Sequence, residues 1–335
     1  MKITVLLGGT SSERDVSLAS GLRIADALVA RGHTVRAVDP AHGPVDLAAL
    51  AAHHVETRPP TPEELAELEL AARAVRLGEL AEVQEADVVF LALHGGRGED
   101  GTIQALLDLQ GVRYTGSGHL ASALAMDKDL SKHLFRAAGV GTADWQMLAR
   151  GDDVERVENA IGYPVVVKPS KQGSTVGLSV VRRAEDLRPA IREAFRHDDE
   201  VMLERFVAGR ELTVTVIGGE ALPVGEIIPK KEIYDYECKY TAGMAVEEFP
   251  ARLDADVAAR VQDEARRAFA ALKLSGCARI DFRLDADERS WCLEANTLPG
   301  MTELSLAPQA AAAAGMDFGE LCERIACLAL DGAGR

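Results

Sequence analysis

The chain has no basic surplus, no long apolar run, no paired-cysteine motif and no dinucleotide fingerprint, and each absence removes a class of function. Lysine and arginine number 37 against 53 aspartates and glutamates, a net charge of −16 with a sequence pI near 5.0. A nucleic-acid partner needs a broad basic face to meet phosphates, so none is expected. An anionic small substrate stays compatible where a few Lys and Arg converge. No apolar run approaches the roughly 20 residues of a membrane span, so no membrane partner is expected. The opening Met1-Lys2-Ile3-Thr4-Val5-Leu6-Leu7-Gly8-Gly9 is too short an apolar stretch for a signal peptide and reads as a buried strand. The five cysteines (238, 277, 292, 322 and 327) are odd in number and form no CxxC, which reads as reduced thiols of a cytoplasmic protein. The histidines form no HxxxH pair, so a zinc site is not expected.

What is present is a globular chain. Its 335 residues, 47% hydrophobic and 27% charged, suffice for two or three domains at the usual ~100–200 residues each. The apolar run at 2–8, the polar turn Thr10 to Arg14, a helical pattern from Val16 to Ala30 and a strand at Val35–Val38 read as the start of an α/β parallel sheet. Residues 41–85 read as surface helices and linkers without function. A strand at Val88–Leu93 ends at His94-Gly95-Gly96, and the turn Tyr114 to Gly118 closes a first unit. One helix is expected over 119–138, then strands at 163–168, 178–182 and 201–207 around a helix at 184–197. The segment 211–229 alternates like two strands, 230–243 reads as a loop or lid, and a helix over 254–273 precedes strands at 277–284 and 291–296.

The last two strands carry the strongest chemical signal. In Cys277 to Leu284 the alternation puts Arg279, Asp281 and Arg283 on one face and Ile280, Phe282 and Leu284 on the other. In Trp291 to Asn296 the same alternation groups Cys292, Glu294 and Asn296. A symmetric turn would pair Leu284 with Trp291, Asp281 with Glu294 and Arg279 with Asn296. Carboxylates directly opposite on a sheet repel, and a hard cation removes the repulsion. Asp, Glu and Asn offer the oxygen donors that Mg²⁺ prefers. The plainer reading is a solvated polar face on an amphipathic hairpin.

A second signal is Lys168, which ends the apolar strand Val165-Val166-Val167 and leads into Lys171-Gln172-Gly173-Ser174-Thr175-Val176-Gly177. Burying an ammonium costs several kcal/mol unless an anion pairs with it, and a phosphate would serve. The backbone N–H groups of such a loop can cradle phosphate oxygens, although the Walker A order is absent and an ordinary glycine-rich turn fits the same residues. Leu203 to Glu211 is a third, weaker signal: a strand leaving the core towards a Gly turn, with Glu204 and Glu211 available to an adenine edge and ribose hydroxyls, or simply solvated. Gly8 to Glu13 lacks Gly-x-Gly-x-x-Gly, which argues against a nicotinamide site. Ser12 would cap the following helix, and Glu13 would favour its dipole or hold a substrate ammonium. His94 sits after a later strand among glycines, where a lone histidine is more often structural.

Taken together, these residues resemble the D-alanine–D-alanine ligases of the ATP-grasp superfamily. The matching stretches run in family order: Leu7-Gly8-Gly9-Thr10-Ser11-Ser12-Glu13-Arg14-Asp15-Val16-Ser17, Leu93-His94-Gly95 with Gly98-Glu99-Asp100-Gly101, Tyr114 to Gly118, Met126-Asp127-Lys128, Lys168-Pro169-Ser170 with Gly173 to Gly177, Tyr234 to Glu237 with Lys239-Tyr240, Arg279-Ile280-Asp281, and Glu294-Ala295-Asn296-Thr297 with Pro299 to Thr302. The resemblance implies an α/β ATP-grasp fold, with an N-terminal parallel-sheet domain (1–118), a central subdomain (119–203) and a C-terminal subdomain (204–335) carrying a lid at 230–243. Two sheets would clasp ATP. It implies ATP contacts from Lys128, Lys168, Ser174, Glu204, Phe206, Val207, Glu211, Lys239 and Phe282. Two Mg²⁺ ions, with Mn²⁺ as substitute, would sit on Asp281, Glu294 and Asn296. Substrate contacts would come from Glu13, His94, Lys239, Ser305 and Leu306. Catalytic roles fall to Glu13, His94, Ser174, Tyr240, Arg279 and Gly300.

The implied reaction phosphorylates the carboxylate of one D-alanine, and the amine of a second attacks the acyl phosphate. A D-alanyl-D-lactate ligase and a catalytically silent nucleotide-binding protein are the alternatives. Tyr240 in the lid disfavours the first of these, and the retained Asp281, Glu294, Asn296 and Arg279 disfavour the second. A homodimer supplying a cell-wall precursor is expected from the family alone. Residues 41–85 match no family motif, Arg97 receives no role, and Thr175 stands where many members carry Ser.

Overall fold

A computed structural model describes residues 1–50, 60–152, 154, 161–230 and 245–331. Its first sheet contains β1 (Lys2–Leu6), β2 (Thr34–Asp39), β3 (Gly43–Val45) and β4 (Val88–Leu91), in the order β3-β2-β1-β4. β1 pairs in parallel with β2 and β4, and β3 closes the edge antiparallel to β2. The near-continuous apolar run of β1 follows from burial on both faces. Leu18, Ile24 and Leu28 of the helix Arg14–Ala30 cover one face, and Leu77, Val83, Leu107 and Tyr114 cover the other. The chain moves from β1 to β2 on one side and returns to β4 on the other. The carboxyl ends of β1 and β4 therefore flank the crevice where open α/β sheets bind ligands.

The second sheet is antiparallel: β5 (Trp145–Ala149), β6 (Val165–Pro169), β7 (Ser179–Val181) and β8 (Glu200–Arg205), ordered β5-β8-β6-β7. Val165, Val167, Val201 and Leu203 pack beneath Leu187 and Ile191 of the helix Ala184–Ala194. Alternation then turns Val166, Lys168 and Glu204 to the opposite face, where they line a cleft.

The third sheet is also antiparallel, with β9 (Arg210–Ile217), β10 (Glu220–Ala221), β11 (Gly225–Pro229), β12 (Ala245–Glu248), β13 (Cys277–Leu284) and β14 (Ser290–Asn296). Its path is β12-β11-β9-β13-β14, with β10 beside β9. Leu212, Val214, Ile280, Phe282 and Cys292 join Val257, Val261, Ala265 and Ala268 of the helix Ala255–Ala271 in one core.

Tertiary packing corrects the expected organisation at three places. The single helix over 119–138 breaks at Asp127 into His119–Met126 and Lys128–Ala137, because the Asp127 carboxylate caps the second by accepting from the Leu130 N–H at 3.0 Å. Both helices pack on the third sheet through Ala121, Ala125 and Phe135, and the second helix also meets the second sheet, at Trp145 and Glu204. The boundary expected after residue 203 falls inside β8, which continues to Arg205, so the passage between sheets is Phe206–Gly209. The last helix, Phe318–Leu330, returns to the first sheet, where Leu321, Cys322 and Ile325 share the core of β1 and β4. No helix among the described residues is long and apolar enough to cross a membrane.

Candidate active site

Two cavities meet at the centre of the molecule. One, with an open volume of about 1060 Å³, lies between the second and third sheets. The other, of about 920 Å³, lies between the loops after β1 and β4 and the loop after β14. Their shared wall includes Lys128, Gly173, Ser174, Arg279, Glu294 and Leu306.

The β13–β14 hairpin supplies much of that wall. Asp281 is opposite Glu294 and Arg279 opposite Asn296, as the alternation predicts. Nearer the turn the prediction fails: Leu284 is opposite Ser290, Arg283 opposite Trp291 and Phe282 opposite Cys292, with a bulge between the two halves. The bulge inserts one residue into β14 and inverts its alternation. Cys292 is therefore fully buried in the core instead of sharing a face with Glu294 and Asn296, and Leu293 lines the cleft in its stead. Phe282, expected among the nucleotide contacts, is fully buried on the core face of β13 and is not among the residues that line the cleft.

The facing carboxylates carry compensating cations. Arg279 donates from Nε to Asp281 Oδ1 at 2.9 Å and from Nη2 to Oδ2 at 2.8 Å. Thr213 Oγ1 donates to Oδ1 at 2.7 Å, and Asn296 Nδ2 to Oδ2 at 2.9 Å. Lys128 Nζ lies 3.2 Å from Glu294 Oε2 and donates to the Gln172 carbonyl at 2.7 Å. Lys128 reaches this point because the Asp127 cap makes it the first residue of its helix.

Lys168 is buried with an anion, as its position at the end of an apolar strand demands. Within the chain that anion is Glu204, 2.7 Å away. Lys132, from the helix Lys128–Ala137, approaches the other oxygen of the same carboxylate. Burial acts to raise the Glu204 carboxyl, but the ammoniums of Lys132 and Lys168 outweigh it and hold the pKa down at about 2. In the loop after β6, Ser174 and Thr175 have φ of 51° and 62°, left-handed values that non-glycine residues seldom adopt. Consecutive positive-φ residues of this kind are held where function demands them. The loop is tied at its base, Lys171 N–H to Asp198 Oδ2 at 2.6 Å and Gln172 Nε2 to the His197 carbonyl at 3.0 Å. Phe206, Val207 and Glu211 line the same cleft, and Arg283 holds Glu211 at 3.1 Å.

On the other side of the junction, Glu13 is itself the N-cap of the helix Arg14–Ala30. That corrects the expectation that Ser12 would cap it. The Glu13 side chain makes no capping bond, so its carboxylate is available to the cavity while the helix dipole favours its charge. Ser174 Oγ donates to Glu13 Oε1. A Cβ on Gly95 would meet Glu13 Oε2 at 2.7 Å and one on Gly173 at 3.2 Å, so two bare backbones enclose the carboxylate. Arg14 pairs with the buried Asp39, which also accepts the Gly9 N–H at 3.0 Å and so fixes the turn before Glu13.

His94 lines this cavity, yet both ring nitrogens are committed. Nδ1 faces the Leu298 carbonyl at 3.0 Å and must donate to it, leaving Nε2 to accept from Ser20 Oγ at 3.1 Å. Ser20 in turn accepts the Met301 N–H at 3.2 Å. Burial keeps the imidazole pKa below its ordinary value. His94 therefore fastens the loop of Gly300 instead of presenting a nitrogen to the cavity. Ser305 Oγ accepts the Thr302 N–H at 2.9 Å and closes so near Gly300 that a Cβ there would lie 2.7 Å from it. Leu306 lines both cavities. Lys239 and Tyr240, with most of the expected lid, lie outside the described residues.

Two residues were missed by the sequence reading. Glu99 bridges the Gly95 N–H at 3.0 Å and the Leu298 N–H at 3.1 Å, and burial, reinforced by Glu13, lifts its pKa to about 7. Its position inside Gly98-Glu99-Asp100-Gly101 was the available signal. Lys132 is fully buried; its signal was a lysine on the same helical stripe as Lys128, Ser131 and Phe135.

Comparison with known proteins agrees with this geometry along nearly the whole chain. The family model described as D-ala D-ala ligase N-terminus matches residues 2–117, and that described as D-ala D-ala ligase C-terminus matches 134–326. A D-alanine–D-alanine ligase of Geotalea uraniireducens is 42% identical over 97% of this chain and 94% of its own length. One of Anaeromyxobacter sp. (strain Fw109-5) is 44% identical over 99% and 96%. A crystal structure of a D-alanine–D-alanine ligase from Bacillus anthracis complexed with ATP superposes with a TM-score of 0.76 at 31% identity, covering 99% of this chain and 97% of that one.

Proposed function

The chain belongs to the D-alanine–D-alanine ligase family, and from that premise we propose that it joins two D-alanines with ATP, through an acyl phosphate, to supply a cell-wall precursor. The observation that carries the reading is the junction itself: an apolar cleft and a polar cavity that share Lys128, Ser174, Arg279 and Glu294. A nucleotide in the first would present its terminal phosphate to a carboxylate in the second.

In this proposal Glu204, Phe206 and Val207 meet the adenine and Glu211 the ribose, while Lys128, Lys168 and the Ser174 loop hold the phosphates. Glu13 binds the ammonium of the first D-alanine, with Ser174 and, by resemblance, Tyr240 orienting it. The carboxylate attacks the γ-phosphoryl group, and ADP leaves. Charge spreads over the transferring oxygens, where Lys128 and Lys168 stabilise it. Lys239, again by resemblance, with Ser305 and Leu306, receives the second D-alanine. Its amine attacks the acyl phosphate, and Arg279 with the Gly300 N–H would hold the resulting oxyanion until phosphate departs. His94 acts through the Gly300 loop.

Asp281, Glu294 and Asn296 fit two Mg²⁺ ions, or Mn²⁺ in their place, because the set offers only oxygen donors and its two carboxylates face each other. When bound, the metal supplies charge neutralisation at the phosphoryl oxygens. Three domains are proposed, the second change of domain lying at Phe206–Gly209. A homodimer in the cytoplasm is proposed from the resemblance.

The test follows ADP release from ATP and Mg²⁺ with D-alanine, L-alanine or D-lactate added. D-alanine stimulates release and the others do not; absence of D-alanine stimulation refutes the reading. Glu294→Gln should lower turnover at least about 100-fold, the scale seen when a group stabilising transition-state charge is removed, with thermal unfolding little changed. Wild-type rates in that variant would refute the metal assignment.

A further inference from the structure

Glu204 is one carboxylate between two buried ammoniums, and the two cations are not equivalent. Lys168 Nζ lies 2.7 Å from Oε2, and Lys168 itself lines the nucleotide cleft. Lys132 holds the other oxygen from the side away from the cleft. It is fully buried, donates also to Thr142 Oγ1, and stands 5.1 Å from the centroid of the Trp145 ring. Thr142 is fixed in turn by donating to the Cys292 carbonyl at 2.8 Å. Lys132 is thus committed on every side, while Lys168 can exchange partners.

A phosphate entering the cleft is an anion that competes with Glu204 for Lys168. If Lys168 turned to it, a carboxylate with no second cation would stand buried, and burial alone drives such a group to protonate. A protonated Glu204 would carry an O–H and no longer act only as an acceptor. We propose that Lys132 is a positioning residue that keeps Glu204 ionised and oriented when the nucleotide draws Lys168 away, and that it thereby sets the preference for a 6-amino purine over a 6-oxo purine. The exocyclic amine of adenine donates to a carboxylate, whereas the 6-oxo group of guanine is an acceptor and would face like charge. Val166, Val180, Phe206 and Leu293 line the cleft beside Glu204, and among the lining side chains near it Lys168 and Arg205 are donors, so Glu204 is the acceptor there for an exocyclic amine. The charged groups facing Glu204 are Lys132 from its helix and Lys168 from β6. The adjacent thiol of Cys292, from β14, is kept neutral by burial.

The inference rests on the ATP site proposed above, and its test separates the two. Equilibrium binding of ADP and of GDP is measured on the full chain without D-alanine, from pH 8 to pH 5.5. The wild type should prefer ADP by at least about 100-fold, since a site built around one hydrogen bond rejects the analogue lacking it. That preference should hold across the pH range. Lys132→Met should lower the preference at least about tenfold, more so at pH 5.5, while the D-alanine KM stays within about twofold; Lys132→Arg should restore most of it. A Lys132→Met protein with wild-type preference overturns the inference. So does a wild-type preference that decays between pH 7 and 5.5, a result that needs no variant and decides the matter even if Lys132→Met fails to fold. A wild type that binds neither nucleotide overturns the ATP site itself, and this inference with it.

Discussion

Neighbouring glycines after β4 offer a sharp test of the Glu13 assignment. Gly95 has φ 63° and ψ 172°, a region essentially reserved for glycine, and Gly96 has φ 48°. Alanine at Gly95 should cost about 1–3 kcal/mol of backbone strain, and at Gly96 about 1–2 kcal/mol. Their stabilities should therefore fall by similar amounts, a few degrees in Tm. Their chemistry should not. The new Cβ at 95 would lie 2.7 Å from Glu13 Oε2, whereas at 96 it would meet only Ser11 Cβ at 3.5 Å. Glu13 cannot simply swing aside, because Ser174 holds one oxygen and Gly173 borders the other. It must move as a unit away from the substrate ammonium. Losing a hydrogen bond to a charged group costs about 1.5–3 kcal/mol, which is about 10- to 150-fold in kcat/KM. Initial rates of ADP release, with D-alanine varied at saturating ATP, should show that loss in Gly95→Ala and less than about threefold in Gly96→Ala. The ATP KM should stay unchanged in both. Equal losses in the two variants, or none in Gly95→Ala, would refute the placement of the ammonium at Glu13.

Two further outcomes are expected. Glu99 folds with its pKa raised from 4.5 to about 7, so its contribution to stability is fully present below pH 4.5 and is lost as the pH rises through 7, a change of about 3 kcal/mol. Urea unfolding of wild type and Glu99→Gln between pH 4.5 and 8 should show the wild type losing that stability relative to the variant; parallel curves would remove the assignment. Arg283→Met frees the Gly209 carbonyl, held at 2.8 Å, and Glu211, held at 3.1 Å. The ATP KM should rise about tenfold, the low end of what losing charged hydrogen bonds costs, with the D-alanine KM unmoved. A change confined to D-alanine would contradict the position of Glu211 in the nucleotide cleft.

Much of the site was legible because the strands write their faces into the sequence. The alternation of β13 separates Arg279, Asp281 and Arg283 from Ile280, Phe282 and Leu284, and the structure keeps that division. The same alternation sets Phe282 on the core face, away from the cleft that the expected nucleotide contacts line. The β14 alternation broke at a bulge that no glycine or proline announced in Trp291-Cys292-Leu293-Glu294-Ala295-Asn296. The apolar strand ending in Lys168 correctly signalled a buried cation, but not which anion it meets. Glu204 lies 36 residues away in the chain and on another strand.

The sequence alone thus determined the faces of β13, the buried cation at Lys168 and, through its motifs, the family, because these depend on residue type and short spacing. Tertiary structure alone decided the rest. It placed the helix from Lys128 on the third sheet, returned the last helix to the first, committed both nitrogens of His94, and set Lys132 and Lys168 on one carboxylate. Each depends on which distant groups burial brings together. In a medium that excludes water, a buried charge must find its partner wherever the fold supplies one.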